Sequence, residues 1–149
     1  MSLSKVHTLL DLAVKNIDIY SEMKVGRESD INLYSERDSP LYWLIVPYTI
    51  SFPTIVNQNR YNETHNVRIY IVKQDKESAD NLETFQILTE CDDLAQQLVQ
   101  YLYEVAINDN QIDIQNTSFS QVIKFKAGSV YSGVVINMQL VFPNDVSIC

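Results

Sequence analysis

Residues 82–104 read LETFQILTECDDLAQQLVQYLYE, and this stretch decides the fold. Its apolar residues recur at intervals of three and four, which is the spacing of one face of an α-helix. The stripe consists of Phe85, Leu88, Cys91, Leu94, Leu98, Leu102 and Val105. Asp80 stands three residues before Glu83, a variant of the capping box, and residues 108–110 are typical of a helix end. The pattern predicts a long helix from about residue 82 to residue 104.

A second helical pattern lies near the start of the chain. Apolar residues at helical spacing predict a helix over residues 4–16, with Ser4 as its cap. They are Val6, Leu9, Leu10, Ala13, Val14 and Ile17.

Strand patterns fill much of the remaining chain. Residues 41–46 form a continuous apolar run ended by Pro47, which predicts a strand that is buried on both faces or lies under a helix. Residues 48–56 predict either an extension of this strand or an adjacent strand, and Pro53 confines that piece to a sheet edge. Residues 67–72 alternate between two faces, with Val67, Ile69 and Ile71 on one of them.

The last third of the chain predicts a β-hairpin. Ile123 and Phe125 alternate with Lys124 and Lys126, and a turn follows at residues 127–129. A long strand then ends at Pro143-Asn-Asp145. One of its faces carries Val134, Ile136, Met138, Leu140 and Phe142, and the other carries Asn137 and Gln139.

Polar segments separate these elements. Residues 18–39 are mixed, with an extended piece at 30–34; residues 57–62 predict a turn; and residues 74–81 predict a charged, flexible loop. The order of elements predicts an α+β fold: an antiparallel or mixed β-sheet packed with an N-terminal helix and one long helix. Because no long linker or repeat divides the chain, residues 1–149 are expected to form a single domain.

Composition excludes several classes of function. The net charge of −8 argues against wrapping DNA or lying on an anionic membrane, and no apolar run is long enough to span a bilayer. The chain starts without a secretory pattern and has only two cysteines, so we expect a reducing cytosol and free thiols at Cys91 and Cys149.

Catalytic and ligand-binding patterns are weak. His7 lies on the first helix and His65 in a predicted polar loop, without the frame of a nucleophilic triad. The cysteines and histidines lack zinc-ligand spacing, and three glycines form no phosphate-binding motif. We therefore expect no catalytic residue, cofactor or metal, and expect that His7→Ala and His65→Ala, singly or together, leave function intact. Gly133 is expected at a bulge or a close backbone approach.

Three features of the chain belong together. They are Asp30-Ile-Asn-Leu-Tyr34 followed by Pro40 and an apolar strand, the position of the long helix, and an alternating strand that stops at Pro143-Asn-Asp145-Val-Ser-Ile-Cys149. In these features the chain resembles a family of small proteins from tailed bacteriophages. The resemblance covers residues 28–149. It implies an α+β virion protein of the tail-terminator or head–tail connector (neck) kind, which forms rings that cap the tail tube and join it to the head.

The resemblance implies a non-enzymatic role. The implied partners are copies of the same chain in a ring, expected to have six subunits, the tail tube, and neck or head-completion proteins. DNA is then only passing cargo through an acidic lumen, no membrane is involved, and the location is the virion, or the bacterial host cytoplasm during assembly. Two alternatives stay open: a prophage-borne or host protein- or ligand-binding module acting as a monomer or dimer, and an enzyme with an unrecognised site.

Ring closure needs two different surfaces on each subunit. The candidates are the hairpin with Lys124 and Lys126, and the acidic loop with Asp75, Glu77 and Asp80. The lysines are alternatively explained as edge-strand residues that prevent wrong pairing. Related sequences carry Gly-Trp before the final strand where this chain has Gly133-Val134, so Tyr131 is expected to rebuild that contact.

Overall fold

A computed structural model describes residues 3–28, 39–57, 60–76, 80–108, 112–127 and 129–145. It confirms the α+β fold, with two helices and a six-stranded mixed sheet. The elements are α1 (Leu3–Ile17), β1 (Met23–Gly26), β2 (Leu41–Ile45), β3 (Thr49–Asn57), β4 (Arg60–Gln74), α2 (Asn81–Asn108), β5 (Asp113–Ala127) and β6 (Ser129–Asp145).

The sheet is built around the pairing of β4 with β6. Its strand order is β1-β2-β4-β6-β5, and β3 pairs with β4 beyond the end of β2. The β1–β2 pair is parallel and the other pairs are antiparallel. The β4–β6 ladder runs from Arg60 opposite Asp145 to Gln74 opposite Tyr131. At about 3.3 Å per residue, this ladder is roughly 50 Å long.

Both helices pack on one face of the sheet, here called the inner face. The alternation predicted in β4 and β6 is confirmed, because the expected apolar residues of both strands belong to the buried cluster under the helices. The opposite, outer face carries a smaller buried cluster of Leu41, Trp43, Tyr70, Val72, Tyr131 and Val135. The expectation that β2 is buried on both faces is also confirmed.

The structure confirms α2 and the residue that caps its start. The face of α2 that is buried differs slightly from the predicted apolar stripe. The backbone N–H of Glu83 donates to the Asp80 carboxylate at 2.8 Å, which is the predicted cap. Leu88, Cys91, Leu98 and Leu102 are buried as expected, but Phe85 is 63% exposed. Thr84 is buried in its place because its hydroxyl bonds to a buried carboxylate. An apolar stripe alone cannot reveal such a polar anchor.

Several boundaries differ from the predictions. α1 begins at Leu3, so Ser4 lies inside its first turn and does not occupy the cap position. β3 and β4 pair up to Asn57 and Arg60, so the predicted turn over residues 57–62 is too long. β6 continues through Pro143, and the extended piece predicted at 30–34 lies outside the described residues.

β5 departs from the simple alternation predicted for residues 123–126. The pairing of β5 with β6 shifts between Val122 and Phe125, and Lys124 has a φ of 51°. This bulge inserts one extra residue into the strand, so side chains after it no longer alternate in the expected order. A second shift lies around Asn116, whose φ is 52°.

Gly133 lies where two backbones approach closely, as predicted. A Cβ atom there would lie 2.2 Å from the Ile71 carbonyl oxygen and 2.7 Å from the Val72 Cα. Both contacts are with the backbone of β4, which cannot turn aside as a flexible side chain could. The central β4–β6 ladder therefore requires glycine at this position.

Of the two described helices, neither is long and apolar enough to cross a membrane.

Candidate functional site

Asp75 joins the acidic loop to the β5–β6 hairpin. Its backbone N–H donates to the Val130 carbonyl at 2.8 Å. Its carboxylate accepts hydrogen bonds from the Ser132 hydroxyl at 2.7 Å and from the Thr84 hydroxyl at 3.0 Å. The Ser132 hydroxyl also accepts a hydrogen bond from the backbone N–H of Lys124 at 2.9 Å. One carboxylate thus ties together the end of β4, the first turn of α2 and the hairpin.

This geometry removes Asp75 from the acidic surface that was expected to meet the hairpin of another copy. Asp75 is buried, and it contacts the hairpin of its own subunit. The Asp75 carboxylate is therefore used within the subunit, where its hydrogen bonds from Ser132 and Thr84 stabilise the fold. Asp80 is exposed and caps α2. Glu77 and the side chain of Lys126 lie outside the described residues.

Two further candidate interface residues are also inside the subunit. Tyr131 belongs to the buried outer-face cluster with Trp43, and Gly133 is buried in the β4–β6 ladder. The expectation that Tyr131 rebuilds an aromatic subunit contact is wrong, because only 1% of that residue is exposed. Lys124 is half-buried on the bulge of β5.

We expect Asp75→Asn to change how stability depends on pH. Burial by itself raises the pKa of Asp75, but hydrogen bonds from Ser132, the Lys76 N–H and Thr84 outweigh it and lower the pKa below the usual value. Stability from this carboxylate is therefore present above the unfolded-state pKa of about 3.9 and is lost as pH falls through the lower folded-state pKa.

Urea unfolding at pH 7 and pH 3 checks this prediction. The variant should lose about 1–3 kcal/mol at pH 7, because an amide cannot accept all of these hydrogen bonds. Its deficit against the wild type should shrink at pH 3. An equal deficit at both values contradicts the prediction, and the exposed Asp93→Asn serves as the control that should change little.

A second polar cluster is buried at the far end of β4. His65 is fully buried, which corrects the prediction that it lies in a polar loop. Its Nε2 lies 2.6 Å from the Glu63 carboxylate, and its Nδ1 lies 3.1 Å from the Tyr48 hydroxyl. The imidazole ring also packs edge-on against Phe142. The sequence missed this cluster because Glu63 and His65 alternate with polar residues, as in a surface loop.

The order hydroxyl, imidazole, carboxylate is that of a nucleophilic triad, but the properties of these side chains do not suit that role. Burial, together with the nearby charge of Glu63, raises the pKa of Tyr48 to about 12. The phenol therefore stays protonated near neutral pH and is a poor nucleophile. No part of His65 is exposed, so a substrate cannot reach its imidazole ring. The arrangement satisfies buried polar groups and links β3 to the core.

A row of amide side chains crosses the outer face near Tyr48. Asn116 donates to Gln139 at 2.6 Å, and Gln139 donates to Asn66 at 2.8 Å. Beside this row, the Arg68 guanidinium donates to Asn137 at 3.2 Å. These side chains line an open cavity of about 410 Å³. Since they bond to one another across three strands, the row links β5, β6 and β4.

The remaining candidates for chemistry are isolated. His7 is half-buried on α1, where its Nε2 lies 2.6 Å from the Met23 carbonyl oxygen. Burial raises the pKa of the Cys91 thiol to about 12, so this cysteine is an unreactive core residue. Cys149 lies outside the described residues. Among the residues that the structure describes, no group of three or more His, Cys, Asp or Glu side chains could hold a metal ion.

No protein-family model matches the sequence, and no curated protein matches it either.

Proposed function

We propose that this chain is a non-enzymatic structural subunit of a tailed bacteriophage, of the tail-terminator or neck kind. In this role, copies of the chain form a ring that caps the tail tube and joins it to the head. The resemblance at Asp30-Ile-Asn-Leu-Tyr34 and at the end of the chain motivates the proposal.

The observation that carries the proposal is the order and layering of the elements. The resemblance, which covers residues 28–149, implies an α+β fold with an apolar strand, one long helix and a final alternating strand. The chain has α1, four strands, α2 and the β5–β6 hairpin in that order, with both helices on one face of one sheet. This agreement concerns the fold, and the role follows from it only together with the sequence resemblance.

The chemistry of the buried groups is in keeping with a structural role. In the Tyr48–His65–Glu63 cluster, Glu63 and His65 are buried, and the half-buried Tyr48 phenol is protonated near neutral pH. Asp75 and Cys91 are likewise used inside the fold. A net charge of −8 suits the lining of a channel, because DNA passes an acidic surface without being held.

The proposal is tested in the phage or prophage that encodes the chain. Inactivating the gene should leave heads unattached to tails, or tails of uncontrolled length, and the plasmid-borne gene should restore normal particles. Antibody labelling should place the protein at the head-proximal end of the tail. Absence of the protein from purified virions, or normal particles without the gene, overturns the proposal. A soluble monomer or dimer that is absent from virions favours the binding-module alternative.

A further inference from the structure

The open cavity on the outer face contains two neighbouring cross-strand pairs of the β4–β6 ladder. Asn66 lies opposite Gln139, and Arg68 lies opposite Asn137. All four side chains line the cavity, which has a volume of about 410 Å³. That volume is within the range of small-ligand sites, roughly 300–1,000 Å³. The central ladder therefore presents a compact set of polar groups to a space large enough for a ligand.

Hydrogen bonds hold these side chains in place and leave some of their N–H groups without a partner. The oxygens of Asn66 and Asn137 accept hydrogen bonds from Gln139 at 2.8 Å and from Arg68 at 3.2 Å. Within the described part of the chain, the Nδ2 atoms of Asn66 and Asn137 donate to no other group. The Arg68 guanidinium bonds to Asn137 through its Nε atom and also interacts with the Tyr70 hydroxyl. Since a guanidinium carries several N–H groups, others remain available for a ligand.

Arg68 supplies the charge of the cavity. Of the described residues that line it, no other is charged. Two carboxylates lie nearby outside the lining, and both are already used: Glu28 accepts a hydrogen bond from Tyr70 at 2.9 Å, and Asp113 accepts one from Gln115 at 2.9 Å. Among the described contacts, neither forms a salt bridge with Arg68. One cation among amide donors favours a ligand group with a single negative charge, and a carboxylate matches the fork of a guanidinium.

The Asn66 amide distinguishes a peptide end from an isolated carboxylate. Asn66 and Arg68 are two residues apart on one face of β4, which is about 7 Å along the strand. An extended peptide has nearly the same rise, so a carboxylate bound at Arg68 places the carbonyl group two residues earlier near Asn66. A backbone carbonyl is a neutral acceptor and suits an amide N–H. Ile45 and Pro47 form an apolar side of the cavity, against which peptide side chains can pack.

We infer that this cavity binds the C-terminal end of an extended peptide. The Arg68 guanidinium and the Asn137 amide bind the terminal carboxylate, and the Asn66 amide binds a carbonyl oxygen of the preceding chain. Capture of a C-terminal carboxylate by fixed N–H donors is a recurring mode of peptide recognition. The donors here are held by hydrogen bonds on paired strands, so binding orders little of the protein. The inference concerns what one copy of the chain binds, and it does not depend on the proposed function.

Nuclear magnetic resonance titration of the purified chain with three related probes tests this site. The probes are acetyl-dialanine with a free carboxylate, its C-terminal amide, and sodium acetate, each at concentrations up to about 10 mM. We expect the free acid to shift the side-chain N–H signals of Arg68, Asn66 and Asn137. It should bind at least about tenfold more tightly than the amide, which lacks the charge, and than acetate, which lacks the carbonyl groups. Equal binding of the acid and either other probe overturns the inference, as does the absence of any shift.

Two variants test which side chains bind the probe. Arg68→Gln removes the cation and should weaken binding of the free acid at least about tenfold. Asn137→Asp keeps the shape of the side chain but places a carboxylate against the Arg68 guanidinium, so it should weaken binding to a similar extent. Arg68 is exposed and Asn137 is half-buried, so both variants should melt like the wild type.

Lys73→Gln is the matched control. It removes the same charge from the opposite face of the same strand, where Lys73 pairs with Glu90 of α2 at 3.0 Å. Binding of the free acid should be unchanged, because Lys73 lies outside the cavity. Unchanged binding by a folded Arg68→Gln variant, or an equal loss in Lys73→Gln, would show that the cavity does not hold the carboxylate.

Discussion

Leu98→Asp should abolish the folded state at 25 °C. Leu98 is completely buried in the middle of α2, where the helix faces the sheet. Burying an unpaired carboxylate there costs several kcal/mol, which is comparable with the total stability of about 5–15 kcal/mol for a domain of this size. Far-ultraviolet circular dichroism should show loss of helix, and no cooperative thermal transition should remain.

Two matched variants make this result interpretable. Gln97→Asp changes the adjacent, exposed position on the same helix and should melt like the wild type. Leu98→Ala should stay folded but lose about 2–5 kcal/mol, because it leaves a cavity without burying a charge. If Leu98→Asp and Gln97→Asp gave the same melting curve, the orientation of α2 on the sheet would be wrong.

The orientation of the main elements could be predicted because apolar periodicity reports directly on burial. Leu98 in α2 and Ile136 in β6 occupy the faces that their spacing indicates. In β4, Ile69 packs under the helices while Tyr70 belongs to the outer-face cluster, as strict alternation requires. In each case the free energy of burying apolar surface outweighs local propensity.

The sequence was least informative where polar groups are buried. Asp75 and His65 both lie in polar stretches that predict loops, yet each is buried with its partners. Those partners come from distant parts of the chain, such as Ser132 for Asp75 and Tyr48 for His65. Periodicity carries no information about such pairings. The same limit explains why Asp75 was expected on a surface that meets another subunit.

The sequence also did not show which apolar residues are exposed, because apolar character alone does not prove burial. Phe85 fits the helical stripe of α2 but lies outside the packed face, and Tyr20 lies in a segment that reads only as polar and mixed. Composition does not distinguish an apolar residue of the core from one exposed on a turn. Only the placement of α1 and β1 on the sheet shows that Ile19 and Tyr20 point away from it.

Breaking the buried pair of Glu63 and His65 should have an effect on stability second only to that of Leu98→Asp. The two side chains are 2% and 0% exposed and share a hydrogen bond of 2.6 Å. Removing one partner of such a pair leaves the other buried without compensation, which costs about 3–5 kcal/mol. His65→Ala should therefore be strongly destabilised, whereas the sequence alone led us to expect that removing either histidine leaves function intact. Urea unfolding monitored by circular dichroism measures the loss.

A double-mutant cycle separates the pair from simple loss of packing. Glu63→Leu combined with His65→Leu removes both polar groups and fills the space, so it should be more stable than either single variant. His7→Ala is the control, because His7 is half-buried and bonded only to the Met23 carbonyl among the contacts described; its loss should be about 1 kcal/mol. Additive effects of the two leucine substitutions, or a His65→Ala variant as stable as His7→Ala, would show that Glu63 and His65 do not depend on each other. Strong coupling would instead mean that loss of assembly in a His65 variant reports misfolding and gives no support to a catalytic role.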